Sequence, residues 1–261
     1  MIAKFLVALV LLFAGGAFAA SQVPGMPPGY YPSSEEDLAN YERAKIHTEL
    51  GAQYYGSGQI GVALDEFNIA LANERRYVPA NYMLGLVYME LKDDAQAEQY
   101  FKRALDLDND NSEARNNYGW FLCQRGRIED SIKQFMAALK NPLYETPDKP
   151  YVNAGICSIK RQDDKGAEEF FLKALKLNPK QPQALLALAE IYYRANDLPN
   201  ARAQLLPYMK THTPTADALW LGVRIERKLN DKNSEESYAQ ILRQRFPLSK
   251  EAQALATGRY E

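Results

Sequence analysis

The chain has 261 residues, with 31 Lys and Arg against 33 Asp and Glu, for a formal charge of −2. This balance, without any basic block, argues against nucleic acid as a partner, and no sustained basic amphipathic helix argues for membrane-surface binding. Two cysteines and two histidines, His47 and His212, are too few and too scattered to make a metal-ligand cluster.

Residues 1–19 read as a secretory signal peptide. Lys4 supplies the positive charge, Phe5 to Ala14 form an apolar run, and Ala17-Phe18-Ala19 places small residues at both positions read by the peptidase. The run is shorter than the ~20 residues needed to span a bilayer, so cleavage is expected before Ala20. The mature chain of 242 residues then keeps 30 basic and 33 acidic side chains. Residues 20–34 hold Pro24, Pro27, Pro28 and Pro32 with Gly25 and Gly29, a linker without a core of its own. Ser33 with Glu36 has the spacing of a capping box opening the first helix.

From here a set of residues recurs every 34 positions. Leu50, Gly51, Tyr54, Ala63, Phe67 and Ala70 return as Leu84, Gly85, Tyr88, Ala97, Phe101 and Ala104. Gly119, Ser131, Phe135 and Ala138 make a third copy. Gly155, Ala167, Phe171, Ala174 and Pro179 make a fourth, offset by 36. Ala189, Ala201 and Leu205 give a fifth, and Gly222, Ser234, Tyr238 and Pro247 a weaker sixth. Such a period, with small residues between large ones, marks a helix–turn–helix solenoid. The small residues let helix A of a repeat approach its helix B. The Phe four residues after each Ala shares its helical face and fills the gap to the next repeat. Gly56, Gly58, Gly126, Asn109, Asn111, Asn141, Pro142, Pro179 and Pro182 punctuate the joints. The adjacent acids Asp93-Asp94 and Asp163-Asp164 fall at turns, where they cap the next helix. Ser249 to Ala256 reads as a short last helix, with Lys250, Glu251 and Gln253 suited to a polar outer face. The chain is therefore expected to be all-α, a solenoid over 35–247 closed by a capping helix and tail over 248–261.

This order of residues resembles the tetratricopeptide repeat, with its W-x2-L-G-x2-Y, A-x3-F and P pattern. The resemblance implies a right-handed α-solenoid of about six repeats that works by holding another protein. His47 falls where the repeat usually has Trp, which implies packing. In tetratricopeptide proteins helix A lines the concave wall at repeat positions 2, 5, 6, 9, 12 and 13. With each repeat's Gly as position 8, that wall receives Tyr82, Met83, Leu86 and Met89. It then receives Asn116, Asn117, Trp120 and Cys123, followed by Val152, Asn153 and Ile156. Exposed apolar patches of this kind mark binding sites; Trp and Tyr are common hot spots, and Met tolerates imprecise fits. The Asn amides can bond the main chain of a bound peptide. The competing role for each residue is packing between repeats. The cationic clamp of chaperone-binding domains is not present, because these positions carry apolar groups and amides.

Cys123 and Cys157 lie in helix A of the third and fourth repeats. They make either a disulfide, as in other exported proteins, or two buried thiols acting as small apolar residues. The offset of 36 puts them at the twelfth and tenth positions of their repeats, which leaves both readings open. No Gly-rich phosphate loop, zinc motif or nucleophile elbow is present. No catalytic residue, cofactor or small-molecule substrate is therefore expected.

Four segments carry residues the repeat does not need. They are Asn116-Asn117-Tyr118-Gly119-Trp120-Phe121-Leu122-Cys123, Asn153-Ala154-Gly155-Ile156-Cys157, Leu219-Trp220-Leu221-Gly222-Val223-Arg224-Ile225-Glu226-Arg227 and Arg245-Phe246-Pro247-Leu248-Ser249. Together they resemble the type IV pilus biogenesis and stability proteins of the PilW/PilF type, over roughly residues 40–257. The resemblance implies a periplasm-facing outer-membrane factor. Such a factor helps the secretin pore reach that membrane and oligomerise, or keeps assembled pili stable. Its partner would be the secretin or another pilus component, and the resemblance favours the Cys123–Cys157 disulfide. Members are commonly lipoproteins with a cysteine at the cleavage site. Here Gly15-Gly16-Ala17-Phe18-Ala19-Ala20-Ser21 offers no thiol. The expected location is the periplasm, with the outer membrane reached only through the partner. That departure weakens the secretin-targeting role more than the stability role. The alternative is a periplasmic scaffold for envelope assembly or cell-wall synthesis.

Overall fold

The structure, a computed structural model, describes residues 32–260. The expected signal peptide and residues 20–31 of the linker lie outside them. Among the described residues there are thirteen α-helices and no strand, and no helix is long and apolar enough to cross a membrane. The chain divides into two compact units, Met1–Ala80 and Asn81–Glu261. The division falls inside α3 (Val78–Glu90).

The first unit is built on α1 (Glu35–Gly56) and α2 (Ile60–Asn73). The cap of α1 lies one residue later than Ser33/Glu36 would place it. Ser34 is the N-cap, and its side chain accepts from the Asp37 N–H at 3.0 Å. The Asp37 carboxylate in turn accepts from the Ser33 N–H at 3.1 Å. A shorter acid at the third helical position closes the box on the residue before the cap. Phe67 is fully buried on Gly51, where an added Cβ would stand 2.7 Å from the ring. Tyr41 and Tyr77 meet edge to face at 5.1 Å over Ala44, Ala70 and Ala80. His47 packs between the helices as a polar link, its Nδ1 2.7 Å from Glu66 Oε2.

The second unit continues through α4 (Asp94–Leu107), α5 (Ser112–Gln124), α6 (Ile128–Ala138), α7 (Asp148–Lys160) and α8 (Asp164–Leu177). It ends with α9 (Pro182–Arg194), α10 (Leu198–Thr211), α11 (Ala216–Lys228), α12 (Lys232–Arg245) and α13 (Lys250–Thr257). Helices pair as A and B of each repeat, and the pairing has one steric key. A Cβ on Gly85, Gly119 or Gly155 would come within 2.6–2.7 Å of the ring of Phe101, Phe135 or Phe171 in the same repeat. At Gly222 the partner is Tyr238, at 2.8 Å. In the fifth repeat Ala189 replaces Gly and the smaller Leu205 replaces Phe, both buried in one cluster. Each Phe thus sits first on its own glycine. Phe101 also reaches the next repeat, its ring 5.6 Å from Phe121.

The A-to-B turn is the same device six times. Gly58, Lys92, Gly126, Gln162, Asn196 and Asn230 all have φ between 58° and 77°. The following N–H bonds back to a carbonyl five residues earlier, as from Asp93 to Tyr88 at 2.9 Å and Asp197 to Tyr192 at 2.8 Å. This is the Schellman closure of a helix C-terminus. The same residue then caps the next helix. Asp93, Asp163, Asp197 and Asp231 each accept an N–H three residues on, which for Asp93 and Asp163 is the cap their acid pairs led one to expect. B-to-A joints within the unit take four residues, except between α6 and α7, where they take nine, 139–147. There Pro142 disfavours helix at the residue before it, and α6 has 11 residues where α4 and α8 have 14.

Candidate protein-binding site

Helix A of repeats 2, 3 and 4 (α3, α5 and α7) carries the wall read from the sequence. Tyr82, Leu86 and Met89 are half-buried and rest on the core around Phe101 and Phe121. Met83 and Asn117 are half-exposed on the same helices. Trp120 packs beside Cys123 and Phe135, with the Lys160 ammonium 5.8 Å from its ring. Ile156 leans on the cluster of Phe171 and Leu188. Asn116 departs from its expected role. It is buried, and its Oδ1 accepts from Asn153 Nδ2 at 3.0 Å. The two amides hold α5 to α7, so only part of Asn153 remains to face a partner.

The long 139–147 joint brings a further group to this wall. Thr146 Oγ1 donates to Glu113 Oε1 at 3.4 Å. Tyr144 lies within electrostatic reach of Glu113 and Tyr82. Burial, and then the Glu113 carboxylate, push the Tyr82 phenol up to about 12, so it stays a neutral donor. The loop is therefore tied to the start of α5, beside this wall. Sequence reading missed this, because the two extra residues there say nothing about where the loop folds.

Cys123 and Cys157 face each other from α5 to α7 at disulfide distance, with Cα atoms 5.8 Å apart and 34 positions apart in sequence. That spacing lies inside the window a disulfide needs.

A second concavity lies farther along. A cleft of about 660 Å³ opens between α9, α11 and the first turn of α13, lined by Leu186, Ala187, Trp220, Leu221, Arg224 and Ala254 among others. The sequence carried a signal for it, since Trp220 and Arg224 belong to a segment that exceeds what the repeat requires. The signal identified family, not position, because α13 closes the cleft and repeat counting ends before α13.

Comparison with known proteins fits this architecture. Tetratricopeptide-repeat models match residues 78–111 and 149–181, and residues 100–133 and 170–203. The type IV pilus assembly protein PilF of Pseudomonas aeruginosa is 27% identical over 217 residues, covering 83% of this chain and 86% of PilF. A solved PilF structure superposes with a TM-score of 0.74 at 26% identity, covering 84% of this chain and 99% of that one. A solved structure of PilW, described as a widely conserved type IV pilus biogenesis factor, superposes with a TM-score of 0.72 at 31% identity, covering 82% and 98%. With the repeats, the thirteen helices and likeness along nearly the whole length of both relatives, this chain belongs to the PilW/PilF family of tetratricopeptide-repeat type IV pilus biogenesis proteins.

Proposed function

We propose that the protein is a non-enzymatic, periplasmic scaffold that holds the secretin or another pilus component on the inner wall of α3, α5 and α7. The observation that carries this is the end-to-end likeness to PilF and PilW. The exposed edges of Met83, Asn117, Trp120 and Asn153 on consecutive A helices support the choice of surface. Export through residues 1–19, without a lipid anchor, is part of the same proposal and supplies the oxidising surroundings in which a Cys123–Cys157 link persists.

The test is made in cells lacking the protein, by measuring detergent-resistant secretin multimer and counting surface pili. Loss of multimers that return on complementation supports secretin assembly. Persistent multimers with lost pili place the action on pilus stability. If neither changes, the pilus role fails, and capture of wall-synthesis enzymes would favour an envelope scaffold. Trp120→Ala is expected to weaken the captured partner, and unchanged capture would remove this wall from the proposal.

A further inference from the structure

The cleft on α9, α11 and α13 has the make-up of a second docking site. Its floor is apolar, formed by Leu186, Ala187, Leu221 and Ala254. One side is the Trp220 indole, which is itself held. Tyr260 stacks on it at 5.4 Å, and the Arg227 guanidinium lies 3.8 Å from the Tyr260 ring. A wall fixed before binding loses little side-chain freedom when a partner arrives.

The rim is charged and unbalanced. Three carboxylates, Glu190, Asp217 and Glu251, face two cations, Arg224 and Lys250. Arg224 is already engaged. Its guanidinium lies 4.6 Å over the Tyr193 ring and 5.9 Å over Trp220, and it reaches Glu190 at 3.4 Å. Lys250 is 91% exposed and comes only within 3.7 Å of Glu251. The Glu251 side chain is 10% exposed, a carboxylate held against apolar surface with that one loose partner. Asp217 is exposed and makes no hydrogen bond or ion pair among the described residues. A carboxylate at the edge of an apolar floor sits where water is sparse, so an incoming cation gains more there than in bulk solvent. An incoming anion would meet a rim with one more carboxylate than cations, where Arg224 is already engaged.

We propose that this cleft docks a peptide segment in which a bulky apolar side chain stands next to Lys or Arg. The apolar group fills the floor against Trp220, and the cation meets Asp217 and Glu251. The inference rests on the reading of the protein as a holder of other proteins, and is independent of whether that protein belongs to a pilus.

The experiment uses the mature full-length chain carrying Trp120→Phe, which leaves Trp220 as its one tryptophan. Trp220 fluorescence is followed while capped hexapeptides are added. One has a Phe-Leu centre flanked by lysines, the other the same centre flanked by glutamates. The lysine peptide is expected to give a saturable change and to bind at least about tenfold tighter than the glutamate peptide at about 50 mM salt, with the preference shrinking at about 500 mM. Asp217→Lys is expected to remove most of the preference while helicity stays unchanged. Equal binding of the two peptides, absence of a saturable change, or a preference that survives both Asp217→Lys and Glu251→Gln would each overturn the proposal. Because the readout is on purified protein, its failure would leave the pilus counts standing, and failure of those counts would leave this binding intact.

Discussion

At the scale of single residues the fold turns on one contact repeated along the chain, a phenyl ring lying where a glycine has no side chain. Gly119 and Phe135 are the pair to test, since an added Cβ would stand 2.7 Å from the ring. Gly119→Ala is expected to cost about 1–3 kcal/mol by overpacking. Phe135→Leu also destabilises alone, by leaving space. The double substitution recreates the Ala189/Leu205 pairing that the fifth repeat already uses. It should therefore be more stable than the sum of the single changes by at least about 0.5 kcal/mol in urea denaturation. Strict additivity would show that the ring does not read the glycine. These residues were plain in the sequence because their spacing is imposed by helix contact within one repeat. Asn116 was misjudged for the opposite reason. Its partner, Asn153, lies 37 residues away, and repeat position alone says only that both amides face one wall.

Between elements, acids at the start of a B helix meet arginines at the end of the next A helix. Arg125 grips Asp94 through Nε at 2.6 Å, Arg161 reaches Glu129 at 2.8 Å, and Arg194 reaches Asp164 at 2.8 Å. These pairs are exposed, so water and salt screen them and each contributes little. Glu98 is better enclosed. Burial alone would raise its carboxyl, but hydrogen bonds from Lys102, Arg127 and Tyr118 outweigh it and hold it at about 2, below the ordinary 4.5. A depressed folded value means stability that is complete above about pH 4.5 and is lost as pH falls toward 2. Glu98→Gln should flatten that part of the acid side of the stability curve, measured by urea midpoints from about pH 7 to about pH 3. An unchanged curve would assign the acid loss to other groups. In the sixth repeat Glu226 is buried, and Arg202 Nε reaches it at 3.0 Å. Arg202→Met strands that carboxylate and is expected to cost about 2–3 kcal/mol, less than the ~3–5 of a fully buried pair because Arg202 is partly exposed. A loss below about 0.5 kcal/mol would show that the pair is screened like the surface ones. Acid–arginine partners some 30 residues apart could not be read from sequence, whereas the capping acids at the same turns could, because a cap is a local bond.

For the whole molecule, the Cys123–Cys157 link closes a loop of 34 residues between two repeats. In the chain-entropy model such a loop contributes about 3–4 kcal/mol. Replacing both cysteines by alanine should lower the thermal midpoint, and reductant should then have no further effect. A midpoint equal to that of the parent would mean that the link contributes nothing in solution. The helix count, the repeat phase and the family were legible from end to end, because each repeat restates the same local packing. The path of residues 139–147 was not, since it depends on which surface a proline-broken segment finds. That path has a consequence for how the array unfolds. In an ideal solenoid each repeat interacts only with its immediate neighbours, and stability is a sum of nearest-neighbour steps. Here Thr146, in the joint that follows the third repeat, donates to Glu113 at the start of that repeat, so the joint is tied back along the repeat it leaves. Fraying that starts at the middle joint is then transmitted to the opposite end of α5. Thr146→Val should speed amide hydrogen exchange at the start of α5 as well as in its own loop, which makes this joint the place where the array ceases to behave as a one-dimensional chain of independent steps.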